Sequence, residues 1–128
     1  MLFQIFNRQK ATKFQFQKND FTSAIITICD SDKDNIHFKK TTTNNILAVL
    51  PLQFDDVDAH TKKPSEVVIS ENDAKRIVRF VTANKDKIDC LVVNCEAGMS
   101  RSAGCCAAIM LALTGTDKVV FNDKSKNP

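Results

Sequence analysis

The sequence has no apolar run long enough to span a bilayer. The longest, residues 103–113, follows Arg101 directly and falls short of the roughly 20 residues a spanning helix needs. The amino terminus, MLFQIFNRQK, lacks the charged-then-apolar layout of a secretion signal. An even set of cysteines is missing too. The five present are Cys29, Cys90, Cys95, Cys105 and Cys106, and four of them crowd into residues 90–106, which is not the pattern of a secreted disulfide framework. Nor is there a strong charge of one sign. Net charge is +3, and the lysines are dispersed apart from Lys39-Lys40 and Lys62-Lys63, so they read as solvated surface rather than as a nucleic-acid patch. No repeat or low-complexity segment is visible. Trp and Tyr are absent as well, which excludes no function by itself. From these absences we expect a soluble protein of a reducing, cytoplasmic compartment, with no membrane anchor and no nucleic-acid partner.

What is present fits one globular domain over residues 1–128. Apolar content of 43% and charged content of 26% are ordinary for such a domain, and this length can bury a core without disulfide staples. The abrupt end at Asn127-Pro128 leads us to expect that the native chain continues. Along the chain, residues 2–6 read as an edge strand and residues 7–13 as one or two helical turns. SAIITIC, residues 23–29, is short and β-branched, as a buried strand is. DSDKDN, residues 30–35, is a polar loop whose alternating carboxylates lack the glycine and closing glutamate of a calcium loop. ILAVLPL, residues 46–52, reads as a strand broken near Pro51. It leads into QFDDVDAHTKKPSE, a long loop of the kind that usually serves function. Ser70 and Asp73 then form a near capping box ahead of a helix over residues 72–83, whose apolar face carries Ile77, Val78, Phe80 and Val81. Strands alternate with helices, so the class is α/β with a mostly parallel central sheet flanked by helices.

The chain is organised around residues 90–115, CLVVNCEAGMSRSAGCCAAIMLALTG. Leu91, Val92 and Val93 suit a buried strand. CEAGMSRS, residues 95–102, is a tight polar loop. The following residues are rich in Ala and Leu, as a buried helix would be. A strand, a loop of small residues and a helix together aim backbone N–H groups at an anion above a helix N-terminus. Cys95 opens this loop, and Arg101 is the sixth residue after it. A thiol placed in such a positive cradle ionises more readily. The same cradle suits a phosphate dianion, with Arg101 forking onto two of its oxygens. Gly98 permits an unusual backbone angle at the crest. Ser102 can donate its hydroxyl to the thiolate.

This C-x5-R loop followed by Ser resembles the signature of the protein tyrosine and dual-specificity phosphatases. CEAGMSRSAG is especially similar to small bacterial or viral members. The resemblance is most specific over residues 91–104 and extends more loosely from about Ala24 through the FDDVD loop and the helix that follows. It implies a phosphate-binding loop between a central strand and a buried helix, in which Glu96, Ala97, Gly98, Met99, Ser100 and Arg101 hold the substrate phosphate. It also implies hydrolysis of phosphotyrosine, with phosphoserine or phosphothreonine as further substrates, through a phosphocysteine on Cys95. No metal or cofactor is implied, and the partner is a phosphorylated protein or peptide. In this family an upstream aspartate protonates the leaving oxygen. Asp56 is the first candidate, Asp55 the second and Asp58 the third. Arg101 would stabilise the transferring phosphoryl group and Ser102 would help the thiolate depart.

One residue departs from the family pattern. The family places His before the cysteine, and this chain has Asn94. Asparagine keeps a donor and an acceptor but carries no charge. We therefore expect a less acidic thiol and lower activity, and an alternative stays open: a catalytically weak or inactive phosphate-binding module of the same fold. A phosphatase of RNA ends or phosphoinositides ranks lower, because Glu96 and Met99 supply neither a basic residue nor a further glycine in the loop. A rhodanese-like sulfur carrier ranks lower still. Cys90, Cys105 and Cys106 read as packing residues, and His37 and His60 as exposed loop residues.

Overall fold

The computed structural model describes residues 2–31, 33–55 and 70–95. These form four strands and two helices: β1 (Leu2–Phe6), α1 (Arg8–Phe14), β2 (Ser23–Cys29), β3 (Ile46–Gln53), α2 (Glu71–Asn84) and β4 (Cys90–Asn94). All four strands are parallel and lie in the order β1-β4-β2-β3. The α/β class expected from the sequence is what the chain adopts.

The order explains where the helices sit. The connections β1-to-β2 and β3-to-β4 each skip one strand and cross the sheet in opposite directions. Right-handed crossovers then place their helices on opposite faces. Accordingly, α1 buries Ala11 and Phe14 in a cluster with Phe6, Ile25, Cys90 and Val92. On the other face, α2 buries Ile77 and Val81 against Phe3, Ile26, Leu91 and Val93. β4 alternates between the two clusters residue by residue, as a central parallel strand covered on both sides must. All five of its residues are buried, as are all seven of β2.

The helix ends follow from local chemistry. Asn7 caps α1 by accepting from Lys10 N at 2.8 Å. The Phe6 and Phe14 rings then meet at 5.4 Å between centroids, pinning α1 to the end of β1. Ser70 and Asp73 complete a full capping box at α2, with Asp73 N donating to Ser70 Oγ at 3.0 Å and Ser70 N to the Asp73 carboxylate at 3.1 Å.

Two local expectations are corrected. Pro51 does not break β3, which runs on to Gln53. β3 is an edge strand, and Phe54 N donates to Cys29 O at 3.1 Å, so the even-numbered residues face β2 and the missing N–H of Pro51 faces away. Arg76 caps the outward Pro51 carbonyl at 3.4 Å and Lys40 caps that of Leu47 at 2.8 Å. Both cations blunt an edge that could otherwise template strand addition. The second correction concerns Val78, which lies off the buried stripe of α2 and is 48% exposed. Ile77 and Val81, one turn apart, carry the burial. Among the described residues no helix is long and apolar enough to cross a membrane.

Candidate active site

A parallel sheet brings the carboxyl ends of all its strands to one side, and ligands of open α/β sheets bind there. Here that side collects Phe6 and Asn7, Cys29 to Ser31, Gln53 to Asp55, and Asn94 with Cys95. β4 is central, with Asn94 in register with Phe6 of β1 and Thr27 of β2. The strand therefore delivers Cys95 to the middle of this side. Cys95 belongs to the α2-face cluster and is 2% exposed.

Of the expected site residues, Cys95 and Asp55 are the two that the structure describes. Asp56 and Asp58, the loop residues Glu96, Ala97, Gly98, Met99, Ser100 and Arg101, and Ser102 lie outside the described residues. So do Cys105, Cys106 and His60. His37 is exposed, as expected of a loop histidine.

Asp55 is held by the loop after β2. Ser31 N donates to its Oδ1 at 3.2 Å and Ser31 Oγ to its Oδ2 at 2.7 Å. Charge-assisted bonds of this kind are the stronger ones. The two preceding residues are tied to the same loop: Phe54 N donates to Cys29 O, and Gln53 Nε2 donates to Lys33 O at 2.7 Å. The loop itself is a turn closed by Lys33 N on Asp30 O at 3.1 Å. Three consecutive residues at the end of β3 are thus fixed to the end of β2.

Asn35 seals the seam between the same two strands. Its amide nitrogen donates to Thr27 O at 2.9 Å and Leu52 O at 3.1 Å. Its amide oxygen accepts from Thr27 Oγ1 and from Ile36 N, both at 2.9 Å. Asn94, level with Thr27 on the neighbouring strand, is different. It is 1% exposed, and its Oδ1 has no hydrogen-bond partner among the described residues. Only Ser23 Oγ shares that condition among the described residues. A buried acceptor left unmade costs on the order of 1–3 kcal/mol, and the described residues supply Asn94 Oδ1 with no donor to offset it.

The other thiols of the sheet, Cys29 and Cys90, are also buried. Burial pushes Cys90 up from its ordinary 9.0 to about 11, with the neighbouring Asp89 charge adding to the effect. Cys29 is buried, and its Sγ lies 3.4 Å from Lys33 O. A shallow hollow on α1, lined by Asn7, Arg8, Gln9, Thr12 and Lys13, contains none of the expected site residues.

Sequence reasoning missed Ser31 and Asn35. The available signal was the run of short polar side chains directly after a buried strand, on the ligand-binding side of a parallel sheet. No family model matches the chain, and no curated protein matches it.

Proposed function

We propose that this chain is a cysteine-dependent phosphatase, acting on phosphotyrosine monoesters and, by the same chemistry, on phosphoserine or phosphothreonine. The observation that carries the reading is the position of Cys95, immediately beyond the carboxyl end of the central parallel strand, as the first residue of C-x5-R-S. The Cys95 thiolate attacks phosphorus, forming the S–P bond as the P–O bond to the leaving group breaks. Asp56 gives its proton to the departing oxygen. Water then attacks the phosphocysteine, losing a proton to the same aspartate, and the S–P bond breaks to release phosphate and thiolate. Ser102 donates to the departing thiolate. Arg101 and the amides of residues 96–101 stabilise the equatorial oxygens, so most of the rate gain is electrostatic positioning. The engagement of both Asp55 oxygens by Ser31 supports Asp56 over Asp55 as the acid. A reducing, cytoplasmic setting suits a thiolate nucleophile.

The test is hydrolysis of a small aryl phosphate. Wild-type turnover reduced by at least about 10³-fold in Cys95→Ser is the expected result, because no other group in this scheme can take the phosphoryl. A second reading, a phosphopeptide-binding module without turnover, is favoured by the 2% exposure of Cys95 and by Asn94 in the family's histidine position. Phosphopeptide binding with no hydrolysis at any pH would select it.

A further inference from the structure

We propose that the corner between the turn after α1 and the loop before β3 docks on an anionic lipid surface. Phe16 is the side chain that inserts, and Lys13, Lys18, Lys39 and Lys40 are the cations that meet the headgroups. The proposal goes beyond the phosphatase reading and does not depend on it.

The lysines look dispersed along the sequence, but the fold gathers them. Residues 2–19 and 35–54 contain Arg8, Lys10, Lys13, Lys18, Lys39 and Lys40 and no Asp or Glu. All 15 carboxylate side chains lie elsewhere, so the positive excess of the chain resides in these two segments. The segments are tied to each other at one corner. Gln15 Oε1 accepts from Lys39 N at 3.0 Å, and Asn44 Nδ2 donates to Gln15 O at 2.9 Å and to Lys39 O at 2.6 Å. Asn19 N donates to Thr43 O at 2.9 Å, Asn19 Nδ2 to Asn44 O at 3.0 Å, and Asn45 Nδ2 to Asn19 O. Gln15, Asn19 and Asn44 are buried, so this paired network is a fixed scaffold. It leads into the amino ends of β2 and β3, which puts it across the sheet from Cys95.

Phe16 stands on this scaffold. It is 72% exposed, more than any other large apolar side chain among the described residues. Its backbone is held, with Phe16 N donating to Lys13 O at 3.1 Å. Lys13, Lys18 and Lys39 are exposed, and the ion pairs among the described residues involve none of them. Lys40 is exposed as well, with its Nζ on Leu47 O. Asp20, directly after Asn19, is the nearest carboxylate in sequence. An apolar ring presented on a turn among cations fits an anionic bilayer. The ring enters the boundary between headgroups and acyl chains while the lysines stay with the lipid phosphates. A protein or nucleic-acid partner would have to bring a pocket for the ring, whereas a bilayer deforms around it. A molecule docked this way turns its candidate active site towards solution.

The chain has no Trp or Tyr, so Phe16→Trp places a lone indole at the proposed point of insertion. The test uses vesicles of phosphatidylcholine alone and vesicles with about 30% phosphatidylserine. We expect the indole emission of Phe16→Trp to shift to the blue with the anionic vesicles only, and the shift to reverse at about 0.5 M salt. The wild-type chain should sediment with the anionic vesicles. Phe16→Ser should bind them about tenfold more weakly, and Lys13→Gln and Lys39→Gln about fivefold each. All three side chains are exposed, so circular dichroism of the variants should match the wild type. Failure of the wild-type chain to sediment with anionic vesicles would overturn the proposal. So would equal binding to phosphatidylcholine alone, or sedimentation with no shift of the indole emission. A blue shift with polyglutamate or duplex DNA and none with vesicles would also overturn it, and would give the corner to that partner instead.

Discussion

The carboxyl ends of β2 and β3 and the carboxyl end of β4 lie on the same side of one sheet, yet they are built on opposite principles. Between β2 and β3 the polar groups are paired. Asn35 makes four hydrogen bonds, three of them to Thr27 and Leu52 at the seam, and Ser31 engages both oxygens of Asp55. At β4, Asn94 is buried more deeply than Asn35, and its Oδ1 has no partner among the described residues. Saturated buried networks hold backbones rigid, whereas an unsatisfied buried acceptor marks a place where stability has not been maximised. Among the described residues, pairing is fuller between β2 and β3 than beside Cys95, the residue proposed to do chemistry. This is the distribution expected when a rigid frame presents a reactive strand end.

Three changes test that difference, and the largest effect belongs to Asn35. In Asn35→Ala the two donors and two acceptors it serves lose their partner, and we expect a loss of about 3 kcal/mol in denaturant unfolding. A loss below about 1 kcal/mol would mean that water replaces the amide and that the seam is not the rigid half of the pair.

Next comes Cys90, at the amino end of β4, where burial among apolar neighbours raises the thiol to about 11. The folded state keeps this proton at pH values where the unfolded thiol, near 9.0, has released it. Stability from this group is therefore fully present below about pH 9 and is lost between about 9 and 11, by about 2 kcal/mol in all. Cys90→Ala should lose that slope. A slope unchanged in Cys90→Ala would show that the amino end of β4 is more open than its burial indicates.

The smallest effect is expected at Asn94. Asn94→Val replaces an amide whose oxygen has no partner among the described residues with a side chain of similar size. Stability should change by less than about 1 kcal/mol, in either direction. If Asn94→Val costs as much as Asn35→Ala, the two strand ends are equally saturated and the comparison fails.

Much of this frame was legible in the sequence. SAIITIC and CLVVN read as buried strands because their apolar residues are continuous, and both are buried along their whole length. Ser70 and Asp73 marked the start of α2 because a capping box is local chemistry. Pro51 misled, since whether a missing N–H breaks a strand depends on which way that N–H would point, and that follows from strand order. Val78 misled for a related reason: a helix stripe is read correctly only when its packing partner is known. Cys95 was singled out because its loop signature is contiguous in sequence, and its place at the end of β4 followed from reading CLVVN as a strand. Ser31 and Asn35 were not, because their partners Asp55, Thr27 and Leu52 lie 24, 8 and 17 residues away and meet them only once the parallel sheet has formed.

The central claim is that Cys95 carries the phosphoryl group between two half-reactions. Rapid acid quenching during turnover of an aryl phosphate, followed by peptide mass spectrometry, tests it most directly. The account predicts phosphate covalently bound to the peptide that contains Cys95, present in the wild type and absent in Cys95→Ser. Ester hydrolysis by the wild type with no phosphate found on Cys95, or undiminished turnover by Cys95→Ser, would contradict it.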